Sequence, residues 1–127
     1  MAYRHFSPNP YGRETKDCTA RAVAAALGMS WEDAFLSLVF EGFFMGEYPD
    51  HNEVMWRYLQ RRGFRPRVLY DTCPDCYTVR DFAMDHPRGI YILGTGSHVV
   101  ALIDGDWWDA WDSGEEIPII VYERGER

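Results

Sequence analysis

The sequence predicts an α+β fold, helices first and an antiparallel sheet last. Residues 18–62 carry helix signals: an alanine-rich run, a serine placed as an N-cap and apolar positions three and four residues apart. Residues 89–122 instead hold short apolar stretches separated by Gly94-Thr95-Gly96, Asp104-Gly105 and Ser113-Gly114, the punctuation of hairpins. A chain of 127 residues fits a single domain, which at this size withdraws roughly two thirds of its extended surface from water.

The elements follow in order. Residues 1–16 read as an entry loop, because Ser7-Pro8-Asn9-Pro10-Tyr11-Gly12 is turn material. A first helix runs from about Cys18 to Leu27, with Gly28 as its stop. Ser30 caps a second helix, since Asp33 follows three residues later in a variant of the capping box, and Phe35, Leu38, Val39 and Gly42 supply its buried face. After the loop Glu47-Tyr48-Pro49-Asp50, a third helix spans about Asn52 to Arg62, with Val54, Met55, Tyr58 and Leu59 at helical spacing and Gly63 as its end. Arg67 to Tyr70 reads as a short strand, and the segment around Cys73-Pro74-Asp75-Cys76 as irregular. Thr78 caps a short helix from Val79 to Asp85, stopped by His86-Pro87. Strands are expected over Gly89–Leu93, Ser97–Ile103, about Asp106–Trp111 and Ile117–Tyr122, in a meander of four or five strands. Residues 123–127 read as a loose charged end.

Composition narrows the function. Thirteen basic against twenty acidic residues give a net charge of −7, so a phosphate backbone meets repulsion and nucleic acid is not an expected partner. The N-terminus lacks the apolar run of a secretory signal, and no apolar stretch reaches membrane-spanning length, so a cytoplasmic protein with no membrane partner is expected. Three cysteines is an odd count, which in a reducing compartment points to chemistry or burial rather than a disulfide framework.

Cys18 carries the main functional signal. At a helix N-terminus, unpaired backbone N–H groups and the macrodipole favour the thiolate, and Asp17 and Thr19 flank the thiol with polar groups where a structural cysteine would sit on the apolar stripe. His98 opens an apolar strand after Gly94-Thr95-Gly96-Ser97, which leaves space beside it, whereas His5, His51 and His86 lie in turn-like or terminal surroundings. An imidazole that takes the thiol proton completes a nucleophile and base pair. A carboxylate is then needed to orient the ring and choose its tautomer. Hairpin register decides which: a three-residue loop Asp104-Gly105-Asp106 puts Asp112 opposite His98, and a two-residue Asp104-Gly105 turn puts Asp109 on the face of His98. Asp112 is the preferred partner and Asp109 the alternative.

Other motifs carry less. Cys73-x-x-Cys76 is half a zinc site or a redox spacing, but no second CxxC completes it, so a loop with incidental thiols and no metal or cofactor is expected. The run Trp107-Trp108-Asp109-Ala110-Trp111 alternates faces along a strand, so core packing explains most of it, with one tryptophan walling the cleft behind His98. Arg61-Arg62 and Arg65 to Arg67 cluster near a helix end, where cations complement the dipole.

Cys18-Thr19-Ala20-Arg21-Ala22, the His98 strand and Asp112-Ser113, in that order, resemble the papain-like cysteine peptidase superfamily, including the compact bacteriocin-processing peptidase domains of transporters. From about Asn9 to Ser113 the chain also resembles a family of small phage and prophage proteins of bacteria, through residues such as Asn9-Pro10, Asp17-Cys18, Arg21-Ala22, Ser30-Trp31, Gly63-Phe64, His86-Pro87, Asp104-Gly105 and Trp111-Asp112. The resemblance implies a compact papain-like domain over 1–127, with a nucleophile helix packed against the sheet that carries the base. It implies a thiol hydrolase acting on an amide or related acyl bond of a peptide or protein. A glutamine that usually precedes the nucleophile is missing, and Asn9 or the Thr15 hydroxyl would substitute as oxyanion donor beside the Cys18 N–H. The alternatives are a catalytically weak binding protein of phage origin that engages a host protein, and acyl transfer of the transglutaminase type through the same thioester. Oligomeric state is left open.

Overall fold

A computed structural model of the chain describes residues 1–13, 15–70 and 72–124. Among the described residues, four helices and a six-stranded sheet make an α+β fold, in the order β1 (Tyr3–His5), α1 (Cys18–Leu27), α2 (Trp31–Met45), α3 (Asn52–Arg61), β2 (Phe64–Val68), α4 (Val79–Asp85), β3 (Ile90–Gly94), β4 (Val99–Ile103), β5 (Asp106–Asp109) and β6 (Ile120–Arg124).

Local chemistry sets the helix limits. Gly28 and Gly46 adopt left-handed conformations that close α1 and α2, and Ser30 Oγ accepts from the Asp33 N–H to open α2. Thr78 and Asp81 form a reciprocal capping box at the start of α4. The buried side of α2 is Ala34, Leu38, Glu41 and Gly42, so the expected face is corrected at Phe35, which is partly exposed. Apolar residues surround this helix, and only the set nearest α1 and α3 finds cover. Leu36, Phe40, Phe43 and Phe44 are left in solvent.

The sheet order is β1-β5-β4-β3-β6-β2. Strands β3, β4 and β5 are antiparallel neighbours, as a meander requires. The expected meander is corrected at β6, which crosses back to pair with β3 and leaves β5 to a parallel partner, β1. The crossover is tied down on its way: the Arg80 and Val79 N–H groups donate to the Gly114 and Glu116 carbonyls. Two strands lie outside their expected positions. β1 falls inside the expected entry loop, three residues being too short to show a period. β2 starts at Phe64 rather than Arg67, because Gly63, at φ +87°, turns the chain straight from α3 into the sheet. Pro66 fits there because β2 is an edge strand. Glu123 and Arg124 of the expected loose end belong to β6, and residues 125–127 lie outside the described residues.

The central strands are buried on both faces. Ile92, Val99, Ala101 and Tyr122 join the core made with α1, α2 and α3. Leu93, Val100, Leu102, Trp107 and Val121 join a second core with Val79, Phe82 and Ala83 of α4. The alanines of α1 let this helix lie against β4 and α2 with residues 19–24 all buried. In the loop before α4, Cys73 and Cys76 are joined by a disulfide, which corrects the expectation of two incidental thiols. The two-residue spacing brings their Cα atoms to 4.1 Å.

Candidate active site

The first turn of α1, the start of β4 and the end of β5 meet at one cleft. A cavity of about 590 Å³ is lined there by Thr15, Asp17, Cys18, Arg21, His98 and Trp111, among others. Cys18 is the first residue of α1. Asp17 precedes it in the N-cap position, yet its side chain makes no capping bond. Its carboxylate turns away, accepting from Arg21 Nη1 at 2.7 Å and Trp31 Nε1 at 2.9 Å. The helix start is thus left without a side-chain acceptor from Asp17.

The turn of the β4–β5 hairpin selects the carboxylate. Ile103 pairs with Asp106, so Asp104-Gly105 is a two-residue turn, and both residues have positive φ, +49° and +83°. Asp-Gly is the dipeptide that suits the type I′ turn, whose twist matches the flanking strands. In the register that follows, the Asp109 carboxylate meets His98: His98 Nε2 and Asp109 Oδ2 are 2.6 Å apart. Asp112, the preferred partner in the sequence reading, is corrected: its Oδ1 accepts from Trp107 Nε1 at 2.8 Å and the Gly114 N–H at 3.0 Å, where it shapes the turn after β5.

Asp109 is fully buried and heavily bonded. Besides His98, it accepts from Ser113 Oγ at 2.6 Å, from the Arg21 guanidinium at 2.9 and 3.2 Å, and from the Ala110 N–H. Burial pushes this carboxyl up, but the bonds from His98 and Ser113 and the His98 and Arg21 charges outweigh it and hold the group below its ordinary value. Arg21 spans Asp17 on its own helix and Asp109 on the sheet. A buried guanidinium between two carboxylates is compensated on both sides.

With Nε2 committed to Asp109, Nδ1 is the His98 nitrogen left for the thiol. Burial lowers the His98 pKa, but the hydrogen bonds to Asp109 and Cys18 and both negative charges push it up to about 9. Burial likewise raises the Cys18 thiol, and the His98 and Val99 hydrogen bonds with the His98 and Arg21 charges reverse this, holding the thiol below its ordinary value. Both shifts favour thiolate beside imidazolium. Trp111 tilts over the imidazole with ring centroids 4.9 Å apart, the tryptophan wall expected behind His98.

The oxyanion candidates separate. Asn9 is taken up by its own loop: its amide Nδ2 donates to the Arg13 carbonyl and its Oδ1 accepts from the Tyr11 N–H. Thr15 lines the cleft. Arg21 and Ser113 stand in the motifs quoted from the sequence but carry no role in that reading, although the i,i+4 spacing of Asp17 and Arg21, and an arginine set in an alanine-rich helix, are visible signals for the first. His51 also lines the cleft, with Nε2 turned to Glu47 and Asp50 at 3.6 and 3.8 Å. Among the described residues, no group of three or more His, Cys, Asp or Glu side chains is arranged to hold a metal ion. Comparison with protein-family models, curated proteins and solved structures finds no match to this chain.

Proposed function

We propose that the chain is a papain-like thiol hydrolase that cleaves an amide or related acyl bond through a thioester on Cys18. The observation that carries this reading is His98 held between a buried, ionised carboxylate and a helix-start thiol whose pKa is lowered. The Cys18 thiolate attacks the carbonyl carbon, and a C–S bond forms as the carbonyl oxygen takes up negative charge. The donors offered to that charge are the Cys18 backbone N–H and the hydroxyl of Thr15, two residues that line the cleft. As the tetrahedral adduct collapses, His98 gives its proton to the leaving nitrogen and the C–N bond breaks. His98 then takes a proton from water, which attacks the thioester, releases the acid and returns the thiolate and imidazolium. Asp109 orients the ring and balances its charge throughout. No cofactor enters these steps.

An electrophilic acyl probe tests the reading. Cys18 should be acylated in the folded protein, and His98→Ala should slow this by about a hundredfold or more. Equal acylation of the two proteins would overturn it. The engagement of Asn9 in its own loop favours a second reading, a weak enzyme that mainly binds its peptide or protein partner. That version acylates but shows no multiple turnover.

A further inference from the structure

A second cavity, of about 550 Å³, opens beside the thiol cleft. The two share Thr15, Lys16, Asp17 and Asp50, so they are neighbours that meet at the residues just before Cys18. Their linings differ in kind. The thiol cleft is mostly polar, whereas the second cavity has an apolar wall of Tyr11, Ala20, Trp31, Phe35, Leu38 and Pro49.

That wall is built to keep its shape. Trp31 and Phe35 stack with centroids 4.9 Å apart and planes 9° from parallel, and Tyr11 meets the Trp31 ring edge-on. The Trp31 indole is fixed by its Nε1 bond to Asp17, the residue joined through its backbone to Cys18. The aromatic surface is therefore registered to the thiol by a single side-chain bond. Phe35 and Tyr11 are exposed despite their size, and they border a space within the range typical of small-ligand pockets.

We infer that this cavity is the specificity pocket of the thiol site and takes an aromatic side chain of a peptide substrate whose scissile carbonyl lies at Cys18. The inference rests on the thiol-hydrolase reading and adds the substrate class. Its occupant follows from the residues that the cavity shares with the cleft and from the stacked rings, against which an aromatic side chain packs face-on or edge-on.

The test uses two kinds of thiol reagent on the intact protein. Iodoacetamide, too small to need the pocket, reports the thiol alone. A set of tripeptidyl chloromethyl ketones, in which the Cys18 thiolate displaces chloride, carries Phe or Ala at each of the three residues in turn. At one of these positions Phe should raise the labelling rate by at least about tenfold over Ala, the scale of apolar discrimination in a pocket. Phe35→Ala and Tyr11→Ala should each shrink that preference while leaving iodoacetamide labelling unchanged. Equal rates for Phe and Ala at all three positions, with iodoacetamide labelling still fast and dependent on His98, would overturn the pocket and leave the thiol reading standing. A Phe preference that survives both substitutions would overturn it too, since the discrimination would then arise elsewhere. Iodoacetamide labelling that ignores His98→Ala would remove the thiol reading and the pocket with it.

Discussion

Asp109 concentrates more of the site's chemistry than any other side chain, because the same carboxylate faces the imidazole, the guanidinium and the Ser113 hydroxyl. Its two oxygens divide the work: Oδ2 takes His98 and Ser113, and Oδ1 takes Arg21 and the Ala110 N–H. Asp109→Asn keeps the size of the group, yet presents an amide where His98 needs an acceptor of full negative charge. It should slow acylation of Cys18 by at least about tenfold, measured as a labelling rate. Asp112→Ala removes a different set of bonds, to Trp107 Nε1 and the Gly114 N–H. It should cost about 1–2 kcal/mol in denaturant unfolding and leave the labelling rate within about twofold. A larger loss of labelling from Asp112→Ala than from Asp109→Asn would reverse the assignment.

At the scale of elements, α2 and the β4–β5 hairpin show what a sequence pattern does and does not carry. The limits of α1 and α4 are legible, because each is written in local chemistry: a glycine stop after Leu27 and a threonine cap before Val79. The buried face of α2 is not, since Leu36, Phe40, Phe43 and Phe44 are as apolar as Leu38 and only the tertiary packing tells them apart. Leu38→Ala should destabilise the protein by about 2–5 kcal/mol. Phe43→Ser, at a residue 74% exposed, should change stability by no more than about 0.5 kcal/mol. Chemical denaturation of both variants checks the contrast. The hairpin has the opposite lesson. Cys18 and His98 can be picked out by their surroundings, but the carboxylate depends on one residue of register, and Asp-Gly as a type I′ pair was the decisive signal. The short β1 and the return of β6 to β3 have no local signature, because both are settled by pairing with strands far away in the chain.

Taken as a whole, the molecule couples its stability to the charge of the cleft. His98 is raised from 6.5 to about 9, so its contribution to folding is full below pH 6.5 and is lost as pH climbs toward 9. Asp109 is lowered from 3.8, so its contribution is present above that value and is lost as pH falls through the depressed one. Cys18 is also lowered, from 9.0, and its titration acts with the opposite sign to that of His98 in the alkaline range. A Cys18→Ser background removes this opposition. There the imidazole keeps the Asp109 bond and charge but loses those of Cys18, so the melting temperature should still fall as pH rises above 6.5, over a range that stops short of 9, and His98→Gln should flatten that fall. An unchanged slope would show that the imidazole does not gain its proton affinity from the fold.

The bond between Arg21 and Asp109 joins residues 88 positions apart. While the chain is being synthesised, Cys18 emerges well before His98, whose hydrogen bond and charge lower its pKa, and before Asp109, which holds the His98 ring. A nascent chain therefore carries an ordinary thiol until β4 and β5 have been made and docked on α1. The lowered pKa of Cys18 is in this sense a timer: it waits on His98 and Asp109, residues far downstream of the helix that carries the thiol.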